Sequence, residues 1–344
     1  MIDQGSMKGG FLTLRFPFLV LLGGVGILAC GQGTAKPGDA AVESGSDASD
    51  VDGGADGDAD ADSDSGFDAG FQSGCGNGSV GPYDETVTID YYGVERTYRL
   101  IVPGSYDDDV PAPLLASFHD LGETVDDHVR LSGLKELSEG QGVVVLAMQG
   151  VLSPDAGLPS WNTGQEDSPK SDDIMMLHDL LFEISAAWCI DAKRLYVGGF
   201  GRGGFFASRA MYLMDDLLAA VEVESGGLKP CCDPPKLKRS SIIFHGEEDH
   251  VVPIDAGLAL RDYWVGHDYL DPTRVETDSN GCEVYHDFLP DSGVDPSLDI
   301  EVRYCGIPAM GHARAGVPDS PEDGTIAPYR ATDVAWEFLK RFSR

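Results

Sequence analysis

The stretch Arg194-Leu-Tyr-Val-Gly-Gly-Phe-Gly-Arg-Gly-Gly204 decides the fold of this chain. Its first four residues are typical of a buried β-strand, the glycines permit a tight turn, and residues 203–213 have the apolar spacing of a helix. A strand that enters a helix through such a turn presents the residue at the apex of the turn above the edge of a sheet. The residue at this apex is Gly201.

The sequence on both sides alternates between short β-branched runs and amphipathic stretches. This pattern predicts an α/β fold with a mostly parallel, doubly wound sheet and helices on both faces. The predicted elements are, in chain order, a hairpin of strands 86–89 and 98–102 around Tyr92-Gly93, strand 114–118, helix 127–138, strand 143–146, helix 172–187, strand 194–199, helix 203–213, strands 219–224 and 241–245, helix 255–264, strand 301–304 and helix 331–342.

Two polar residues follow the glycine-rich turn, each in a loop after a predicted strand. They are Asp249, within His245-Gly-Glu-Glu-Asp-His-Val-Val-Pro253, and His312, after the last strand. In a serine hydrolase an acid orients an imidazole, and the imidazole accepts the proton of the nucleophile. The order nucleophile, acid, histidine favours these roles over the alternatives, a loop-capping aspartate and an exposed turn histidine.

Further short motifs recur in order along the domain that extends from Cys75 to Arg344. They are Tyr98-Arg-Leu-Ile-Val-Pro103, Phe118-His119, Leu131-Ser-Gly-Leu134, Trp161-Asn-Thr163, Asp172-Asp173, Cys189-Ile-Asp191, His245-Gly246, Val252-Pro253, Asn280-Gly-Cys282 and Gly311-His312. As an ordered set they resemble the secreted poly(3-hydroxybutyrate) depolymerase and feruloyl esterase family of serine esterases. The resemblance implies the α/β-hydrolase fold, an ester-type ligand such as a polyester or a feruloylated glycan, a Ser-His-Asp mechanism through an acyl-enzyme, and no metal or organic cofactor.

The chain departs from that family at three positions of the expected site. Gly201 stands where the serine belongs, and glycine cannot form an acyl-enzyme. Family members usually carry His-Gly at the oxyanion strand, whereas this chain has His119-Asp120, which brings a carboxylate to the place where negative charge develops. The tryptophan that commonly follows the family's histidine is absent, since His312 is followed by Ala-Arg-Ala.

These departures lead to two hypotheses about activity. The first is a catalytically impaired homologue that binds an ester polymer, a glycan or a partner in the old cleft. The alternative is an active ester hydrolase in which Asp249 and His312 activate a water molecule. Gly201 argues against normal serine esterase activity and leaves the enzyme status open between the two.

Other candidate site residues have competing interpretations. Trp161 is a candidate for stacking on an aromatic or sugar ligand, or equally a buried core residue. Arg202 follows the apex, where its backbone N–H would serve the oxyanion hole together with the His119 region, while its side chain points to solvent or holds a carboxylate. His245, Glu247 and His250 lack the His-Glu-x-x-His spacing of a zinc site, so no metal is predicted.

The first thirty residues are interpreted as an export signal. Lys8 and Arg15 precede an apolar run, 16–29, that is too short to span a bilayer as a helix. The run ends in Ala29-Cys30-Gly31, which resembles a bacterial lipobox and predicts a lipid anchor on Cys30 as the sole membrane attachment. The alternative is an ordinary cleaved signal with an incidental cysteine. The sequence therefore predicts a cell-envelope lipoprotein, with Gly31 compatible with outer-membrane sorting, or an extracellular protein.

Residues 31–74 have a different composition, rich in Asp, Gly, Ala and Ser and poor in apolar residues. Such a segment buries too little surface to offset its ordering entropy, which predicts a disordered tether before the domain of residues 75–344. Its Asp-x-Asp run lacks the Gly and Glu of a calcium-binding loop. The formal charge of −34 argues against a nucleic-acid partner, because nucleic-acid binding requires clustered Lys and Arg.

Apart from Cys30, the chain contains an even number of cysteines. In an exported protein, an even number suggests three disulfides. Cys282 with Cys305 is the preferred pair, and Cys75 is expected to join the N-terminus of the domain to its body, although sequence leaves the connectivity open. The candidates are Cys75, Cys189, Cys231, Cys232, Cys282 and Cys305.

Overall fold

The computed structural model describes residues 72–154, 156–163, 173–230, 234–286, 300–318 and 327–344. The predicted signal peptide, the lipid-anchor cysteine Cys30 and the tether up to residue 71 lie outside the described residues, as do Asp172, Cys231 and Cys232. Within the described part of the chain, no helix combines the length and the apolar content needed to cross a membrane.

Twelve strands and six helices are present in the described residues. The strands are β1 (Tyr83–Tyr91), β2 (Val94–Val102), β3 (Ala112–Phe118), β4 (Val144–Met148), β5 (Val151–Leu152), β6 (Pro159–Ser160), β7 (Ile190–Gly199), β8 (Ala220–Glu224), β9 (Ser240–Gly246), β10 (Glu276–Thr277), β11 (Glu283–Tyr285) and β12 (Val302–Ile307). The helices are α1 (Val125–Ser132), α2 (Leu134–Gln141), α3 (Asp173–Ala187), α4 (Arg202–Leu213), α5 (Ile254–His267) and α6 (Ala331–Leu339).

Ten of the strands form one sheet in the order β1-β2-β4-β3-β7-β8-β9-β12-β11-β10. The six central strands, from β4 to β12, are parallel, and antiparallel strands flank them on both sides. Since the carboxyl ends of parallel strands meet at one edge, the loops after β3, β7, β9 and β12 converge there. These loops carry all the predicted catalytic positions.

Helices cover both faces of the sheet, as the sequence predicts. Successive residues of a strand point to opposite faces, so Leu114 and Phe118 belong to the core cluster that contains residues of α3, α4 and α5, including Phe206. Leu115 belongs to the other cluster, with residues of α1, α2 and α6 that include Trp336. The central strands are therefore apolar on both sides, which is typical of a parallel sheet.

One predicted helix, 127–138, is two helices. Gly133 ends α1 and begins α2 with a φ of 66°, a left-handed conformation that glycine adopts without steric cost. The hairpin prediction is confirmed, because Tyr92 and Gly93 both have positive φ between β1 and β2.

Two of the predicted disulfides are present. Cys282 pairs with Cys305, and Cys75 pairs with Cys189, which joins the N-terminus of the domain to the start of β7. Disulfides are typical of exported proteins.

Candidate active site

The turn between β7 and α4 has the backbone of a nucleophile elbow. Gly201 lies at its apex with φ 56° and ψ −117°, and its N–H donates a hydrogen bond of 2.9 Å to the carbonyl of Glu224. A Cβ on Gly199 would overlap the backbone of Gly203, and a Cβ on Gly203 would overlap the backbone of Phe118. The flanking glycines are therefore required by the close approach of three chain segments.

The structure brings Asp249 and His312 together at this turn. The His312 Nδ1 lies 2.8 Å from Asp249 Oδ2, and both side chains are buried. The other carboxylate oxygen of Asp249 accepts hydrogen bonds from the backbone N–H groups of Val251 and Val252, at 2.9 and 2.8 Å. The acid is thus fixed by its own loop and oriented toward the imidazole.

The place beside the apex is filled by the side chain of Asp120. Its Oδ1 accepts a hydrogen bond of 2.6 Å from the backbone N–H of Arg202, and its Oδ2 lies 3.1 Å from His312 Nε2. A Cβ built on Gly201 would overlap this carboxylate. Asp120 therefore supplies both the oxygen that contacts His312 and the oxygen that accepts the Arg202 N–H. Neither oxygen comes from a residue at the apex.

Both ring nitrogens of His312 face carboxylates, which only accept hydrogen bonds. The ring must donate from both nitrogens and is therefore an imidazolium. Burial alone lowers the pKa of His312, but the hydrogen bonds and negative charges of Asp120 and Asp249 outweigh burial and raise the pKa to about 9. A ring that carries both protons has no free nitrogen with which to accept another.

The carboxylates have pKa values that match this charge state. Burial raises the pKa of the Asp120 carboxyl, but hydrogen bonds from His312, Arg202 and the backbone of Leu121 outweigh burial and hold that pKa below its usual value. The same balance, with hydrogen bonds from His312 and the Val252 backbone, lowers the pKa of Asp249. The site is an imidazolium between two carboxylates.

A buried ion pair supports the Asp120 loop. The Arg314 guanidinium donates to both carboxylate oxygens of Glu123, at 2.6 and 2.5 Å, and Glu123 accepts the backbone N–H of Asp120 at 3.1 Å. The guanidinium also lies 4.4 Å from the centre of the Phe200 ring. Sequence reasoning missed Arg314 as a site residue, because nothing local in the stretch after His312 indicates its partner Glu123.

His119 and Trp161 position the Asp120 loop through hydrogen bonds to its backbone. His119 is fully buried, its Nδ1 lies 2.5 Å from the Asp120 carbonyl, and its Nε2 accepts the backbone N–H of Gly150 at 2.9 Å. Burial lowers the pKa of His119 and keeps it neutral. Trp161, 2% exposed, donates from Nε1 to the His119 carbonyl at 2.8 Å and stacks on Phe206.

Trp161 is therefore a core residue in this structure. Its ring has no exposed face on which a ligand could stack. The Arg202 side chain donates from Nε to the Trp161 carbonyl at 3.3 Å. His245 is buried, and its Nε2 donates to the Val252 carbonyl at 2.8 Å. These three side chains hold the loops of the site.

A second serine–histidine contact lies away from the apex. Ser117 Oγ is 2.8 Å from His128 Nε2, and both residues are buried. The other ring nitrogen of His128 accepts a hydrogen bond from Arg314 at 3.1 Å, so the proton of this neutral ring is on Nε2 and is donated to Ser117. Burial lowers the pKa of His128 well below its usual value. This pair has the wrong tautomer to activate the serine.

Among the described residues, one set of His, Cys, Asp or Glu side chains is close enough to share a metal ion. The set is Asp107, Asp108 and Asp109, which lie in the loop after β2. His245, Glu247 and His250 do not form such a set.

Fold and site together define an α/β-hydrolase-fold protein with an esterase-like arrangement of loops. No family model matches the chain. The chain is 27% identical over 251 residues to the probable feruloyl esterase C of Aspergillus terreus, which covers 71% of this chain and 83% of that protein. It is 25% identical over 267 residues to feruloyl esterase B of Piromyces equi, which covers 70% of this chain and 44% of that protein.

The fold has a counterpart among solved structures. The acetyl xylan esterase from Aspergillus awamori superposes with a TM-score of 0.55 at 14% identity, over 74% of this chain and 99% of that chain. At this identity the likeness concerns the fold alone. Taken with the sequence relatives, it supports an esterase-like α/β-hydrolase.

Proposed function

We propose that this chain is an exported, esterase-like protein that binds an ester-bearing ligand and does not hydrolyse it through an acyl-serine. The observation that carries the proposal is the apex of the elbow, where Gly201 has no side chain and the Asp120 carboxylate fills the adjoining space. A serine esterase needs an oxygen nucleophile at this point and a neutral imidazole to take its proton. Here the nucleophile is missing and His312 is an imidazolium.

The ligand we propose is the ester of an aromatic or aliphatic acid on a polymer, such as a feruloylated glycan or a polyester. Exposed apolar side chains lie on the loops that carry the site, namely Leu121 next to Asp120 and Val251 next to the Asp249 loop, at 45% and 58% exposure. Leu158, also 45% exposed, lies next to Gly122 on the same side. Apolar surface of this kind suits an aromatic ring or an alkyl chain.

Two measurements test the absence of turnover. The wild-type chain is expected to give no hydrolysis of methyl ferulate or 4-nitrophenyl acetate above the level of a His312→Ala variant. His250→Ala, which changes an exposed histidine of a neighbouring loop, is the matched control. Turnover that His312→Ala removes and His250→Ala preserves would overturn the proposal.

That outcome would instead support the alternative, in which Asp249 and His312 activate water. The contact between these two side chains is the observation in its favour. Because the imidazolium must first lose its proton, this activity should rise with pH toward about 9 and resist serine-directed phosphonates.

Binding is tested with feruloylated arabinoxylan, with the same polysaccharide after alkaline removal of its esters, and with poly(3-hydroxybutyrate) granules. We expect retention that depends on the ester and that Leu121→Glu weakens. Val110→Glu, at an exposed position before the opposite end of β3, is the control. Equal binding by all variants and both polysaccharides would contradict an ester-recognising cleft.

We further propose that Cys30 carries a lipid that anchors the protein at the cell envelope, with the outer membrane as the destination. The lipobox-like Ala29-Cys30-Gly31 at the end of an apolar run supports this. Metabolic labelling with a radioactive fatty acid should mark the wild type and not Cys30→Ser. Label retained in that variant would overturn the anchor at this position.

A further inference from the structure

The Asp120 carboxylate lies where a hydrolase of this fold binds the negative oxygen of its reacting ester. That oxyanion hole is made by the backbone N–H of the residue after the nucleophile and by a second N–H from the loop after the third strand. In this chain the first is Arg202, whose backbone N–H donates to Asp120 Oδ1 at 2.6 Å. This donor is occupied by a side chain of the protein itself.

A second donor contacts the other oxygen of this carboxylate. The His312 ring lies 3.1 Å from Asp120 Oδ2, and the Asp120 side chain is 18% exposed. The carboxylate released by ester hydrolysis would meet the same two groups, a backbone N–H and an imidazolium. Charge-assisted hydrogen bonds of this kind are strong when shielded from water.

We propose that Asp120 is a tethered stand-in for a product carboxylate, and that beneath it the chain retains a carboxylate-binding site which Asp120 keeps closed. This inference rests on the proposed function, because it explains how the hydrolase site is silenced. A free carboxylate in solution competes poorly with one held in place by the backbone, since the tethered group has a high effective concentration. The oxyanion hole is therefore occupied, not lost.

The loop of Asp120 is built to keep the carboxylate in this place. Glu123 accepts the Asp120 N–H and is itself held by both arms of Arg314, a residue two positions after His312. The Asp120 carbonyl is held by His119. With the backbone fixed on both sides, removal of the carboxylate leaves the donors in place and accessible to another anion.

The test uses Asp120→Gly in the full-length protein, with acetate as the probe and the His312 ring observed by NMR after selective ¹³C labelling of histidine. In the wild type we expect His312 to titrate near pH 9 and acetate to leave its signal unchanged. In Asp120→Gly we expect the pKa to fall toward its ordinary value of 6.5 and acetate to shift the signal saturably below that pH. Chloride at equal ionic strength should not reproduce the shift.

Two further variants keep the result interpretable. Asp109→Gly removes an exposed aspartate and should behave as the wild type. Asp120→Asn keeps the size of the side chain without its charge, so the His312 pKa should fall while acetate binding stays blocked. If Asp120→Gly does not fold, a lowered His312 pKa in Asp120→Asn still supports the occupancy, and an unchanged pKa overturns it.

The inference is overturned if acetate shifts His312 equally in the wild type, or if folded Asp120→Gly binds no acetate. These outcomes are independent of the proposed function, which fails on a different result, namely His312-dependent turnover by the wild type. If the wild type does not hydrolyse esters but acetate shifts its His312 signal, the proposed function still holds and the proposal that Asp120 closes the carboxylate-binding site is wrong.

Discussion

At the scale of single residues, the exchange between Gly201 and Asp120 accounts for the chemistry of the site. An elbow serine needs space beside the apex and an empty oxyanion hole, and Asp120 takes both. A serine introduced at position 201 would collide with the carboxylate that lies there.

Gly201→Ser alone should remain inactive toward methyl ferulate, whereas the double variant Asp120→Gly/Gly201→Ser should gain activity. In subtilisin, loss of the serine costs about 10⁶ in turnover, so a gain on the order of 10³-fold or more over either single variant is a modest expectation. His312→Ala added to the double variant is the control and should abolish the gain. Activity in Gly201→Ser alone would show that the carboxylate yields to the new side chain.

Gly201→Ala should lower the free energy of unfolding by about 2 kcal/mol, because φ 56° with ψ −117° is strained for a residue with a Cβ. Part of the loss should disappear in the Asp120→Gly background, where the overlap is gone. Gly140→Ala is a control at an exposed helical glycine with open space around it, and it should stabilise the protein by about 0.5 kcal/mol. Urea denaturation of the wild type, Asp120→Gly, Gly201→Ala, the double variant and Gly140→Ala measures these differences.

At the scale of elements, two disulfides link chain segments to central strands of the sheet. One joins the N-terminus of the domain to the start of β7, and the other joins the start of β11 to β12. Cys75–Cys189 closes a sequence separation of 114 residues, and Cys282–Cys305 closes one of 23 between the start of β11 and β12. Loop-closure entropy makes the longer connection the more stabilising one.

Replacing both cysteines of the longer connection by serine should cost about 4.8 kcal/mol, against about 3.4 kcal/mol for the shorter one. Denaturant unfolding of the two double variants under non-reducing conditions measures the difference. An equal or reversed order would mean that native-state contacts, and not the entropy of the unfolded chain, set the contribution of these bonds.

At the scale of the whole molecule, buried titratable groups make stability depend on pH. The neutral histidines His119, His128 and His245, whose pKa burial lowers, make the fold more stable as the pH rises toward 6.5. His312 and Glu224 act in the opposite direction. His312 binds its proton more tightly in the folded protein, so it stabilises the fold fully below pH 6.5, and this contribution is lost as the pH rises through about 9. Burial raises the pKa of Glu224 to about 7. Its carboxyl therefore destabilises the fold as the pH rises above 4.5, where the same group ionises in the unfolded chain. Both groups lower stability as the pH rises.

The free energy of unfolding should therefore fall between pH 7 and pH 9, where the neutral histidines no longer change their charge, with His312 contributing on the order of 3 kcal/mol. Glu224→Gln keeps the acceptor for the Ala315 N–H and should make stability rise between pH 5 and 7 relative to the wild type, while His312→Gln should flatten the curve between pH 7 and 9. Thermal unfolding at matched ionic strength measures both. A wild-type curve that rises toward pH 9 would contradict the assigned charge states.

Local chemistry let the sequence predict most of the fold. The hairpin follows from Tyr92-Gly93, where two residues suffice to set a turn, and the central strands follow from apolar runs bounded by polar loops. The split at Gly133 was not predicted, because a single glycine is compatible with a continuous helix until packing places it in the left-handed region.

By itself, the sequence determined the α/β-hydrolase fold, the glycine at the elbow apex, and the order of Gly201, Asp249 and His312 along the chain. Only the tertiary structure decided that Asp120 accepts the Arg202 backbone N–H and keeps His312 protonated, and that Arg314 holds this arrangement through Glu123. The reason is physical: Asp120 and His312 are 192 positions apart and meet only because parallel strands bring their loops to one edge of the sheet. A side chain's neighbours set its charge, and those neighbours come from folding.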